Sequence, residues 1–126
     1  MQIDYISDLH LDFHISVKSP LWRVEMSKFL SKLLPEQKGD ILIIAGDLSH
    51  HNEQSYGILT SFSAIYDQVL FVLGNHDYYL LPGESVSQNS QQRENDLLEF
   101  VKDAPNVHCL SYFETFNYRN VTFAGA

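Results

Sequence analysis

The sequence predicts an α/β domain built on a mainly parallel sheet, and three observations carry that prediction. The runs Ile41–Ala45 and Val69–Leu73 are apolar without polar alternation, as expected of strands buried on both faces. Stretches with helical spacing lie between the strand-like runs. The resulting order, βαβαβ followed by αβ and a hairpin, calls for parallel strands joined by helical crossovers, with helices on the faces of the sheet. The length of 126 residues suits one domain, so residues 1–126 are read as one.

Taken in order, Gln2–Ser7 is the first strand, with Ile3, Tyr5 and Ile6 apolar. A polar loop follows from Asp8 to Pro20, carrying two histidines and a further aspartate. From Leu21 to Leu34 the spacing is helical, placing Trp22, Met26, Phe29, Leu30, Leu33 and Leu34 on one face. Ser19-Pro20 marks its start, and Pro35 with Gly39 its stop. After the second strand, Glu53–Tyr66 reads as a helix with Leu59, Phe62 and Tyr66 as its stripe, although Gly57 weakens its first turn. The third strand leads into Tyr78–Gln92, read as a mobile loop that ends in a helix entry. Arg93–Lys102 is the next helix, with Leu97, Leu98 and Val101 facing in, and Ala104-Pro105-Asn106 stops it. Val107–Leu110 is a short strand. Tyr112–Asn117 and Val121–Ala124 form a hairpin around Tyr118-Arg119-Asn120.

Composition narrows the class of protein. At 44% hydrophobic and 13% aromatic residues, the chain supports a real core. Its net charge of −8 disfavours binding to nucleic acid or anionic lipid through a basic patch. An anionic substrate stays compatible, because bound cations reverse the sign locally. Cys109 is the only cysteine. That excludes an intrachain disulfide framework and makes a reducing compartment the default, hence a cytoplasmic location. No apolar run approaches the roughly 20 residues of a membrane-spanning helix, and no basic-then-apolar leader opens the chain.

The chemistry gathers where the strands end. The first strand runs into Asp8-Leu9-His10, the second into Gly46-Asp47, and the third into Gly74-Asn75-His76-Asp77. In open α/β sheets, sites form beyond the carboxyl ends of the strands, so these three loops can share one site. Asp8 and His10 are two residues apart and offer a carboxylate and an imidazole to one metal ion. Asp47 has two oxygens and can bridge two metals about 3.5–4 Å apart. Asn75 can give its carbonyl oxygen to the second. His76 can protonate a leaving group, and Asp77 can hold that ring in one tautomer. A bridged metal pair lowers the pKa of bound water from about 15.7 toward 7 and neutralises phosphoryl oxygens, which is what phosphate-ester hydrolysis requires.

These motifs, in this order and each at an expected strand end, resemble the N-terminal half of the calcineurin-like metallophosphoesterases, and the resemblance covers essentially the whole chain. It implies half of a four-layer αββα sandwich and a centre of two divalent ions (Mn, Fe, Zn or Ni, with Mn favoured). Asp8, His10 and Asp47 would serve the first ion, and Asp47 and Asn75 the second. His76 would be the acid or phosphate contact, with a small phosphate ester as substrate. The sequence departs from the family pattern in two places. The later histidines that complete both metal shells, including a Gly-His-x-His motif, do not occur after His108, so the chain reads as truncated and its activity as impaired. Leu48-Ser49-His50-His51 follows Gly46-Asp47 where the family is often acidic or otherwise polar. His50 and His51 are read as solvated loop residues, and as the nearest substitutes for the missing ligands. The alternative is a non-catalytic fragment that self-associates, a homo-oligomer covering its exposed sheet.

Overall fold

A computed structural model describes residues 1–83 and 87–126. Residues 84–86, which fall in the stretch expected to be a mobile loop, lie outside the described residues. The elements are β1 (Ile3–Ile6), α1 (Leu11–His14), α2 (Trp22–Leu33), β2 (Ile41–Ala45), α3 (Asn52–Ser63), β3 (Gln68–Val72), a 3₁₀ turn at Asn75–Asp77, α4 (Ser90–Lys102), β4 (Val107–Cys109), β5 (Thr115–Tyr118) and β6 (Val121–Ala124). β1 to β4 form a parallel sheet in sequence order. β5 and β6 pair as a separate antiparallel hairpin.

The two faces of the sheet are covered differently. Leu42, Ile44, Val69, Phe71 and Val107 pack with Trp22, Met26 and Leu30 of α2, with Ile58, Leu59 and Phe62 of α3, and with Leu97 of α4. Ile41 and Leu70 point the other way and meet Phe116, Tyr118 and Phe123 of the hairpin. Helices thus cover one face of the parallel sheet and the hairpin covers the other, as half of a four-layer αββα sandwich requires. The strand order supplies the reason. Each crossover steps to the next strand on the same side, and crossovers of one hand that step one way keep their helices on one face. Alternate residues of β2 and β3 serve the two layers, which is why their sequences show no polar alternation.

Several local signals resolve differently from expectation. The loop after β1 contains a single helical turn, α1, which buries Leu11 beneath it. α4 begins at Ser90, three residues before the expected start, because Asn89 caps it and accepts from the Gln92 amide at 2.8 Å. Gly57 is not a weak point of α3, since a methyl group there would press on the Met26 sulfur of α2 at 2.9 Å. Tyr112 and Phe113 have positive φ and stay out of β5. The β5–β6 turn sits on Arg119 and Asn120, both with positive φ (48° and 64°), as a type I′ hairpin requires.

Asp4 ties the start of the sheet to its surroundings. Its carboxylate accepts from the Gly39 amide at 2.7 Å and from the Tyr66 hydroxyl at 2.8 Å. The Gly39 bond, more than any other contact, holds this carboxyl below the ordinary aspartate range. A depressed acid stabilises the fold above its unfolded pKa and stops doing so as the pH falls through its folded value. Asp4→Asn is thus expected to cost about 1 kcal/mol at pH 7. That deficit should shrink on acidification below the usual aspartate range, as read by urea denaturation at a series of pH values. A deficit that stays constant with pH would contradict this account.

Candidate active site

Three loops leave the carboxyl ends of adjacent strands and are laced together by their backbones. The Asp8 amide donates to Gly46 O, the His10 amide to Asp47 O and the Leu11 amide to Leu48 O, at 3.3, 3.0 and 3.0 Å. Asp8, His10 and Asp47 all have positive φ (52°, 41° and 57°). Non-glycine residues rarely adopt this conformation, and such strain gathers where a site over-determines the backbone. The motif glycines explain how the second and third loops approach so closely. A Cβ on Gly46 would lie 2.8 Å from the Gly74 nitrogen, and one on Gly74 would collide with the Asp47 carboxylate. Each glycine makes room for the other loop.

Asp77 fixes the spacing of those loops. It is buried, and its Oδ2 accepts from the amides of Asp47 and Gly74, each at 2.8 Å, while Oδ1 accepts from the Leu48 amide at 2.9 Å. Burial pushes this carboxyl above its ordinary range, and the three amides with Arg93 pull it back. Arg93 does the converse task. It too is buried, and its guanidinium donates to the carbonyls of His76, Tyr79 and Ser49 and to Asn52 Oδ1. Asp77 thus gathers N–H groups and Arg93 gathers carbonyls from the same loops. Nothing in the sequence marked Arg93 for this role, because in the chain it is simply an arginine near a helix start.

The frame holds a cluster of metal-competent atoms. One donor atom each from His10, Asp47 and His76 lies within 4.8 Å of the other two. His10 Nε2 is 3.6 Å from Asp8 Oδ1 and 3.8 Å from Asp47 Oδ2. Those separations exceed hydrogen-bond reach but suit donors that share one cation with bonds of about 2.0–2.2 Å. His10 Nδ1 is buried without a hydrogen-bond partner among the described residues, and Phe13 stacks on the ring at 4.9 Å instead. The His76 amide donates to Asp47 Oδ1 at 2.9 Å, which leaves Oδ2 as the oxygen turned to His10. A mixed set of imidazoles and carboxylates fits a divalent transition metal.

The other expected site residues fall into place unevenly. Asn75 is exposed, and its Nδ2 donates to the Tyr79 hydroxyl at 2.9 Å, leaving its carbonyl oxygen available. Asp77 does not hold the His76 ring, as expected from sequence, since its oxygens serve the three amides. His76 Nδ1 meets His50 Nε2 instead. His50 is not a solvated loop residue either: its side chain is 11% exposed, and its Nδ1 lies 3.2 Å from Asp12 Oδ2. Burial pushes the His50 ring below its ordinary pKa, while Asp12 works against that shift. His51 is buried at the start of α3. Asp12 went unread in the sequence, where it was one polar residue in a polar loop.

The family model for calcineurin-like phosphoesterases matches residues 1–124. The chain belongs to this family. Among curated proteins, an uncharacterized protein of Acanthamoeba polyphaga mimivirus is 29% identical over 97% of this chain and 42% of its own length. A symmetrical bis(5'-nucleosyl)-tetraphosphatase of Buchnera aphidicola (subspecies Baizongia pistaciae) is 30% identical over 79% of this chain and 33% of its own. The crystal structure of the phosphopantetheinyl hydrolase from Mycobacterium tuberculosis superposes with a TM-score of 0.66 at 21% identity, over 97% of this chain and 40% of that one. The fold is therefore that of a calcineurin-like phosphoesterase, and the chain spans well under half the length of these relatives.

The Arg93 frame has a measurable consequence. Arg93→Met would leave the carbonyls of Ser49, His76 and Tyr79 without their donor, and a loss of about 3 kcal/mol is expected in urea denaturation. A loss below about 1 kcal/mol would mean that these carbonyls find other partners.

Proposed function

We propose that these loops form the metal-binding part of a phosphoesterase that hydrolyses a small phosphomonoester or phosphodiester with two divalent ions, Mn being favoured. The observation that supports this most is the meeting of donor atoms from His10, Asp47 and His76, brought from three strand ends to within 4.8 Å. Asp8, His10 and Asp47 would hold the first ion, and Asp47 with Asn75 the second. Bound ions of this kind activate water and neutralise phosphoryl oxygens. His76, within the donor cluster, would contact the phosphate or the leaving group. Asp77 acts through the backbone, since its three amide bonds set where Asp47 and the 3₁₀ turn stand.

Substrate class follows the same reasoning. Relatives named as bis(5'-nucleosyl)-tetraphosphatases support a small phosphate ester, and the net charge of −8 disfavours a nucleic acid. A cytoplasmic site of action rests on the single cysteine. Among the described residues no helix is long and apolar enough to cross a membrane. Four side chains, Asp8, His10, Asp47 and Asn75, do not fill the shells of two ions, so turnover by residues 1–126 alone is expected to be weak. The test is hydrolysis of aryl phosphate mono- and diesters with and without Mn. Slow, Mn-dependent turnover that disappears in Asp47→Asn is expected. Turnover that ignores Mn or survives Asp47→Asn would sink the reading.

One observation favours a second reading beside the first. On the hairpin side of β1, Tyr5 is 81% and Ile3 39% exposed, beyond the cover that the hairpin gives to β2 and β3. A second copy of the chain covering that strip would bury it. Sedimentation equilibrium is expected to show a mass that rises with concentration, and a lower mass for Tyr5→Lys. A monomer at all concentrations would rule this reading out.

A further inference from the structure

The donor cluster is backed by residues that the phosphoesterase reading leaves without a task. Asp12 sits in α1 with its side chain only 9% exposed. Its Oδ1 accepts the His50 backbone amide at 3.0 Å, and its Oδ2 lies 3.2 Å from His50 Nδ1. The far side of the His50 ring, at Nε2, meets Nδ1 of His76. The two rings lie nearly parallel, at 11°. The line therefore runs from a buried carboxylate through one imidazole to a second, and the second belongs to the donor cluster.

Hydrogen-bonding rules leave one arrangement of protons along that line while both rings are neutral. An ionised carboxylate only accepts, so His50 must carry its proton on Nδ1. A neutral imidazole has one N–H, so His50 Nε2 is an acceptor. Nδ1 of His76 must then donate to it, and Nε2 of His76 keeps its lone pair. The reverse arrangement would set a lone pair of His50 against the Asp12 carboxylate. The backbone on both sides is held as well, since Arg93 bonds the carbonyls of Ser49 and His76.

We propose that Asp12 and His50 are positioning residues that lock His76 as the Nδ1–H tautomer, so that its Nε2 carries a lone pair and not an N–H. The use made of that lone pair rests on the phosphoesterase reading; the tautomer itself does not. In this state His76 is ready to bind a cation or accept a proton. Donating to a leaving group would require it to gain a proton first.

The experiment is a long-range proton–nitrogen correlation spectrum of the ¹⁵N-histidine-labelled chain at neutral pH, treated with chelator. For the unaltered protein, His76 and His50 are both expected to show a protonated Nδ1 and an unprotonated Nε2. Asp12→Asn is expected to invert both rings. Its amide oxygen keeps the His50 backbone N–H, so its NH₂ faces His50 Nδ1, and the proton of each ring moves to Nε2. His50→Phe removes the acceptor for His76 and is expected to return that ring to the Nε2–H form favoured by free imidazole. A proton on His76 Nε2 in the unaltered protein overturns the proposal, as does an unchanged His76 pattern in either folded variant. Should one variant fail to fold, the unaltered protein and the other variant still decide. No metal or substrate is present in this measurement. The expected tautomer in a chain without turnover would count against the phosphoesterase reading alone, and Mn-dependent turnover with the wrong tautomer against this proposal alone.

Discussion

The carboxylate of Asp77 is where the site and the fold become one problem. It reaches the amides of Asp47, Leu48 and Gly74, and so pins the loop after β2 against the loop after β3. Three bonds to a buried carboxylate are strong because the acceptor is charged and the surroundings exclude water. They also offset the burial of that charge, which would otherwise be costly. Once Asp77 is in place, Gly46 and Gly74 must touch, because a side chain at either would occupy the other loop's space. Asp47 then projects toward His10 with one oxygen bonded to the His76 amide.

Arg93 completes the frame from beneath. A buried guanidinium bonded mainly to carbonyls is unusual, since buried charges commonly face opposite charges. Here Asp77 and Asp12 are near enough to favour its charged form against desolvation. The result is a pair of buried ions that bond chiefly to backbone while each favours the charged form of the other. The rigidity of the loops follows from that division of labour, and a site assembled on three loops needs such rigidity if its donors are to stay within bonding range of one centre.

Sequential strand order also sets where chemistry can occur. With β1, β2 and β3 adjacent and parallel, their carboxyl ends lie side by side and their loops meet without a reversal of strand order. The helices lie on one face and the hairpin on the other, so neither layer obstructs the ends of the strands. The left-handed backbone at Asp8, His10 and Asp47 records the cost of turning each chain sharply at its strand end.

The sequence by itself determined the elements and the ends of strands at which side chains would gather. Apolar runs without alternation, helical stripes and the three short motifs depend on local spacing, and local spacing is written in the chain. Hence the meeting of Asp8, His10, Asp47 and His76 beyond the strand ends was legible, as was the parallel sheet. Tertiary structure decided everything that depended on which groups meet across the loops. Asp77 was expected beside the His76 ring because it is adjacent in sequence, yet a 3₁₀ turn directs it inward to the Asp47 and Leu48 amides of the neighbouring loop. His50 looked solvated because its partners are remote in the chain: Asp12, 38 residues away, accepts its backbone amide, and His76 meets its ring. Arg93 was invisible as a loop clamp for the same reason. Periodicity reports which way a residue faces within its own element, whereas partners across elements are chosen by packing, and packing has no period to read.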